Sequence, residues 1–180
     1  MKKTICFTLS ALILVFGSVY FVADQSIKEV TASSFNHKIY DSVNDLTNDS
    51  ELVVEVTTTS NSKAVELVKN GFDDSYTLTD VKINKVFKDS QNTVTGNVYK
   101  SIPVIERFIV RDDGLKPGKT KFIADEYTSL QAGQKYLLFL VWSPERKAYW
   151  INALNQGKFN IDNQDLKELN LKKVTRNLKN

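Results

Sequence analysis

Two pairs of neighbouring carboxylates, Asp73-Asp74 and Asp112-Asp113, have the type and spacing for acid/base work or for holding a hard cation. Each pair stands beside turn residues, where Asp commonly serves the local backbone. Neither extends into the Asp-x-Asp-x-Asp-Gly spacing of a calcium loop. The one histidine, His37, lies beside Lys38 in a polar stretch that suggests no base or nucleophile partner, so it reads as a bystander. The one cysteine, Cys6, permits no intrachain disulfide, and one His with one Cys cannot form a transition-metal cluster. Cys6 also begins an apolar core instead of ending one after small residues, which is the wrong place for bacterial lipid attachment. The sequence has no Gly-rich phosphate loop, Gly-x-Ser-x-Gly elbow or His-Glu-x-x-His pair. The expectation is a protein that is not an enzyme and takes no cofactor or metal. The alternative is a secreted enzyme of unrecognised type.

A second group is aromatic and cationic. Trp142, Arg146, Tyr149 and Trp150 bracket the turn "SPERK". Trp and Arg are frequent anchors at interface hot spots, which makes these four a candidate partner-binding site. The plainer reading is that both tryptophans close one end of the core. A turn over Ser143–Lys147 would pair Trp142 with Ala148 and set Trp150 opposite Leu140, on the face of Tyr136 and Leu138. Arg107, Arg111, Lys116, Lys119 and Lys121, offset by Asp112 and Asp113, suit a solvated face or contact with anionic lipid or wall polymer. The chain carries 24 basic and 21 acidic residues, net +3, and Lys2 and Lys3 account for much of that excess. No nucleic-acid footprint follows.

The elements that must position these groups begin outside the domain. Lys2 and Lys3 precede an uncharged stretch, Thr4 to Ala23, followed at once by Asp24. This is an export signal, and at ~1.5 Å per residue it also reaches the ~30 Å of a bilayer core. A cut after Ala23 would place bulky Phe21 at the −3 position, which favours retention of residues 1–23 as a signal anchor over removal as a signal peptide. The positive-inside rule then puts the chain from Asp24 onward outside a single-pass membrane protein; secretion is the alternative. Residues 24–40 are polar and read as an extracytoplasmic tether.

Residues 41–180 suffice for one core. Asp41 and Ser42 can cap a short helix with Val43 and Leu46. "ELVVEVTTTS" is a β-branched strand, and Ser62–Lys69 suits a strand or a short helix, with strand preferred. Tyr76–Asp89 alternates, and a bulge near Asp80 would put Tyr76, Leu78, Val81, Ile83 and Val86 on one face. Gly96–Val110 reads as a third long strand bent at Pro103. "QKYLLFLVW" is apolar on both faces and too short to span a bilayer as a helix, hence a central buried strand that forms a hairpin with "AYWINAL". "NQGKFNI" adds a short extended piece, and Asp162 or Asn163 caps a basic C-terminal helix with Leu166, Leu169 and Val174 on one stripe. The expected fold is mainly β. It is a small five-to-six-stranded antiparallel OB-like barrel with a short N-terminal helix, a C-terminal helix and an N-terminal transmembrane or signal helix, its core including Val54, Val81, Ile83, Leu138 and Leu140.

In order along the chain, "NDSELVVEVTTTS", "YTLTDVKINKVFKD", "LQAGQKYLLFLVW" and "YWINALNQGKFNI" resemble a family of uncharacterised exported proteins of Gram-positive bacteria, over Asn48 to Ile161. The resemblance implies an envelope location and a compact β-barrel similar in layout to the inhibitory domain of tissue inhibitors of metalloproteinases, without disulfides. It implies no catalytic residues. The sequence departs from the family pattern at Asp89, where Gly is expected, at Leu154-Asn155, where a glycine pair is expected, and in lacking a cysteine at the end of the apolar core. The function expected is that of an envelope-tethered extracytoplasmic binding or inhibitory module, anchored in the membrane by its N-terminal helix and acting on a protein, peptide or wall polymer.

Overall fold

Runs of β-branched and aromatic residues at period two dominate the chain, and the computed structural model is accordingly mainly β. It describes residues 18, 20–32, 37–69, 72–94, 100–112, 114 and 116–168. In chain order the elements are β1 (Ile27–Ala32), α1 (Val43–Asp49), β2 (Leu52–Val65), β3 (Val68–Lys69), β4 (Phe72–Asp73), β5 (Tyr76–Asp89), β6 (Ser101–Glu106), β7 (Phe108–Asp112), β8 (Lys119–Ala124), β9 (Lys135–Ser143), β10 (Ala148–Ile151), a 3-10 turn (Leu154–Gly157) and β11 (Lys158–Asn160).

Six strands form one sheet in the order β10-β6-β5-β2-β9-β11. β10 also pairs with β9, antiparallel, while its pairing with β6 is parallel. Hydrogen-bonded pairing therefore runs β6–β5–β2–β9–β10 and back to β6. A three-stranded sheet, β1-β8-β7, and the small β3–β4 hairpin complete the strand set.

The main core lies on the inner face of this ring. Val54, Val81, Ile83, Leu138 and Leu140 are all fully buried there, as their alternation predicts. β9 is apolar on both faces because both are covered. Leu138 and Leu140 point to the main core, and Phe139 packs with Val53 and Leu46 under α1. α1 starts where expected, with the Ser42 hydroxyl accepting the Asp45 N–H at 3.1 Å.

The bulge near Asp80 lies on the opposite strand. Thr58 pairs with Val81 and Ser62 with Thr79, so β2 carries the extra residues while β5 keeps its alternation through Asp80. Tyr76 and Leu78 consequently face outward, into a separate cluster with Ile105, Ala148 and Trp150. Val86 returns to the main core through an extra residue at Asn84, between the Glu55–Lys85 and Val56–Ile83 pairs.

Other expectations also change. The third long strand is two strands in different sheets, broken at Arg107. Ser62–Val65 continues β2 and Val68–Lys69 pairs with Phe72–Asp73, which settles that stretch as strand. The polar stretch read as a tether contains β1, paired in parallel with β8 over all six residues. Of the C-terminal helix, residues 166–168 are helical and Leu166 is 71% exposed, so it does not join a buried stripe; Leu169 and Val174 lie outside the described residues. Residues 20–24 are helical, and most of the N-terminal apolar run lies outside the described residues. Among the described residues no helix is long and apolar enough to cross a membrane.

Candidate functional site

The hairpin turn spans Pro144–Lys147, one residue shorter at its start than expected. Ser143 pairs with Ala148, Trp142 with Tyr149 and Val141 with Trp150. That single residue turns β10 over relative to β9, because side chains alternate with period two. Trp150 therefore lies on the face opposite Leu140 and Trp142, not beside them. Trp142 and Tyr149 go to the inner face, where their rings meet edge-on at 4.9 Å and the Tyr149 hydroxyl is 2.9 Å from that of Thr93.

Arg146 and Trp150 meet on the outer face. The Arg146 guanidinium lies 4.9 Å from both the Trp150 and Tyr76 ring centroids, and that of Arg107 lies 5.4 Å from Trp150. Asp74 links the two arginines, accepting from Arg107 at 3.1 Å and from Arg146. Asp73 pairs with Arg111 at 2.7 Å. That guanidinium, with help from Ser75, pulls the Asp73 carboxyl down to about 2. The Asp73-Asp74 pair thus neutralises arginines and forms no acid/base couple. No local pattern reveals this, since the carboxylates reach their partners across the fold from the β3–β4 hairpin. Nη1 of Arg146 is buried beside the half-buried Trp150 without a hydrogen-bond partner, closed off from solvent.

Arg107 and Trp150 also line a cavity of about 320 Å³ with His37, Lys38, Asp125 and the Ala153–Leu154 corner. His37 Nδ1 is 3.9 Å from Asp125. The histidine is brought there by its neighbour Tyr40, whose N–H donates to Gln156 at 3.0 Å and whose carbonyl accepts from it at 3.2 Å. The single histidine is therefore a wall residue of this cavity. Asp125, Ala153 and Leu154 hold left-handed backbone, φ 48, 56 and 51°. Such a conformation costs a non-Gly residue about 1–2 kcal/mol, and here it shapes the cavity rim. A second cavity of about 200 Å³ lies on the other side of Arg107, against Asp73, Phe108, Arg111 and Phe122.

The basic run divides in two. Arg107 and Arg111 are engaged by Asp74 and Asp73. Lys121 is mostly buried, donates to Ser129 at 2.9 Å and sits 4.4 Å from the Phe108 ring, and burial lowers its pKa. Lys116 is exposed in the loop before β8, and Lys119, half-buried, is the first residue of that strand. Asp112 accepts the Gly114 N–H at 2.8 Å, an ordinary turn contact, and Asp113 lies outside the described residues.

A buried ionic network escapes pattern reading. Glu106 is 1% exposed and accepts from Thr79 at 2.5 Å, Tyr127 at 3.1 Å and the Leu130 N–H at 2.6 Å. Burial raises its pKa against these donors. Lys158 is equally buried, donating to Thr128 at 2.6 Å and lying 3.4 Å from Glu168. Burial lowers its pKa, and Glu168 opposes that shift. Asp165 accepts from Tyr136 at 2.9 Å. These bonds stitch the 127–131 loop and the 165–168 segment onto the sheet. Lys158 pairs with buried Leu138, which puts it on the inner face. The preceding glycine is required, because a Cβ on Gly157 would lie 1.8 Å from the Asn152 carbonyl oxygen.

Among the described residues no group of three or more His, Cys, Asp or Glu could hold a metal ion. No family model, curated protein or solved structure matches the chain.

Proposed function

We propose that the protein is a membrane-anchored, extracytoplasmic binding or inhibitory module built on an OB-like barrel, and that it contacts a protein, peptide or wall polymer through the outer face around Trp150 and Arg146. The barrel reading is supported by strand pairing that runs β6–β5–β2–β9–β10–β6 with β6 and β10 parallel, an arrangement expected of a small closed Greek-key sheet. The interior of this ring is filled by side chains from Val54 to Leu140, so a ligand binds outside it. The anchor reading rests on the Thr4–Ala23 run and the flanking lysines.

The observation that carries the binding reading is the Trp150 ring. It is only half-buried, is held between Arg107 and Arg146, and borders the larger cavity. An aromatic wall flanked by two guanidinium groups suits a chain of carbonyl or carboxylate acceptors, as in an extended peptide or an acylated polymer. A photo-crosslinking residue at position 150 should trap a partner in intact envelopes, while the same residue at position 142 should trap none. Equal trapping at both positions would dismiss this face as the site.

A further inference from the structure

The junction between the N-terminal apolar run and the domain is short and fastened, which bears on how the domain sits. Residues 20–24 are helical, and the turn that ends the helix is closed by the Ser26 N–H and hydroxyl, both donating to the Ala23 carbonyl at 3.1 and 2.7 Å. The β7–β8 loop is bound to this turn. The Gly118 N–H donates to Asp24 at 3.3 Å, and the Lys119 N–H to the Ser26 carbonyl at 2.8 Å. The contact is close, since a Cβ on Gly118 would lie 2.8 Å from the Ser26 hydroxyl, and φ +100° there favours glycine. β1 then runs along β8 from Ile27–Lys119 to Ala32–Ala124 without a break.

We infer that the β7–β8 loop around Lys116–Lys119 and the start of β1 lie in the lipid headgroup layer, so that the domain is held against the bilayer by one defined face. This rests on the proposed reading of residues 1–23 as a membrane anchor. A headgroup layer is about 5–8 Å deep on each side of the hydrocarbon core. Asp24 ends the apolar run, and backbone hydrogen-bonded to Asp24 and Ser26 falls within that depth. Tyr20, Phe21 and Val22, near the end of the run, are 47, 66 and 70% exposed, which leaves apolar surface open to lipid. Exposed Lys28 and Lys116 and half-buried Lys119 flank the contact. Of the nearby carboxylates, Asp24 is engaged by Gly118 and Asp112 by Gly114. The lysines supply the charge that anionic phospholipid headgroups attract. The face that carries Trp150 is built on other strands, β6, β5 and β10.

The test uses the full chain with Cys6→Ser, reconstituted into phosphatidylcholine–phosphatidylglycerol vesicles that contain a headgroup-spin-labelled lipid. A fluorophore is placed on a single cysteine, Lys116→Cys or Glu145→Cys, both exposed positions. The expected result is quenching at position 116 and none at position 145. Inserting about twelve Gly and Ser residues between Ala23 and Asp24, a coil reaching roughly 20 Å, should abolish the quenching at 116 while the melting temperature is kept. Vesicle-bound chain with equal quenching at 116 and 145, or with quenching at 116 that survives the insertion, overturns the inference and leaves the anchor standing. Chain that fails to float with the vesicles overturns the anchor and the inference with it.

Discussion

Two ionic clusters, one rich in carboxylates and one rich in arginines, sit at opposite levels of the molecule. Glu106, Lys158, Asp165 and Glu168 are buried among tyrosines and threonines, while Asp73, Asp74, Arg107, Arg111 and Arg146 lie on the outer face among Tyr76 and Trp150. Inside, Glu106 takes three donors and Lys158 has both a hydroxyl and a carboxylate, as a charge removed from water requires. Outside, the aspartates are engaged and the Trp150 ring stays partly exposed. A saturated cluster holds a fold together. One that frames a partly exposed aromatic ring offers a surface to a partner.

The largest expected effect is inside. Lys158→Ala leaves Glu168 buried without its cation and should cost about 3–5 kcal/mol in chemical denaturation. Leu138→Ala, next to it across the sheet, should cost ~2–5 kcal/mol, and an unchanged melting temperature there would contradict the inward assignment of β9. Arg146→Ala on the outer face should cost less, about 1–2 kcal/mol, since Arg107 still holds Asp74 when the Arg146 guanidinium is removed, while partner capture is lost. A loss as large as that of Lys158→Ala would erase the distinction between the clusters.

The two clusters should also respond to acid with opposite signs. Glu106 has its pKa raised in the folded protein, chiefly by burial. Its contribution is fully present below the unfolded carboxyl value near 4.5 and is lost as pH rises through the folded value. Asp73 is lowered from 3.8 to about 2, chiefly by Arg111, so its contribution is present above 3.8 and is lost as pH falls toward 2. Stability measured against pH should therefore lose one slope in Glu106→Gln and the other in Asp73→Asn, the second being small because the pair is solvent-screened. The smallest effect is expected from Asp112→Ala, within about 0.5 kcal/mol, as for most exposed turn positions.

The core was legible in the sequence because inward residues repeat with period two and β9 is apolar on both sides. Val54, Val81, Ile83, Leu138 and Leu140 all follow from that pattern. β1 was not legible, since "IKEVTA" is almost wholly exposed and is held by backbone bonds to β8 that leave no hydrophobic signature. The break at Arg107 carries no Gly or Pro. Of the candidate site, Arg146 and Trp150 flank one turn as the sequence shows, yet which face each aromatic takes depends on a turn length that differs by one residue from the expected one. His37 reaches its cavity wall through Tyr40 and Gln156, a contact 116 residues apart in the chain.

The central claim is that the two faces of β10 have different work, Tyr149 in the core and Trp150 at the surface for a partner. Its most direct test is to compare envelope capture and melting temperature for full-length Trp150→Ala and Tyr149→Ala. The account predicts that Trp150→Ala loses the captured partner and melts within a few degrees of the parent chain, whereas Tyr149→Ala melts markedly lower, as truncating a buried aromatic by about 3–5 kcal/mol requires. Undiminished capture by Trp150→Ala would contradict it.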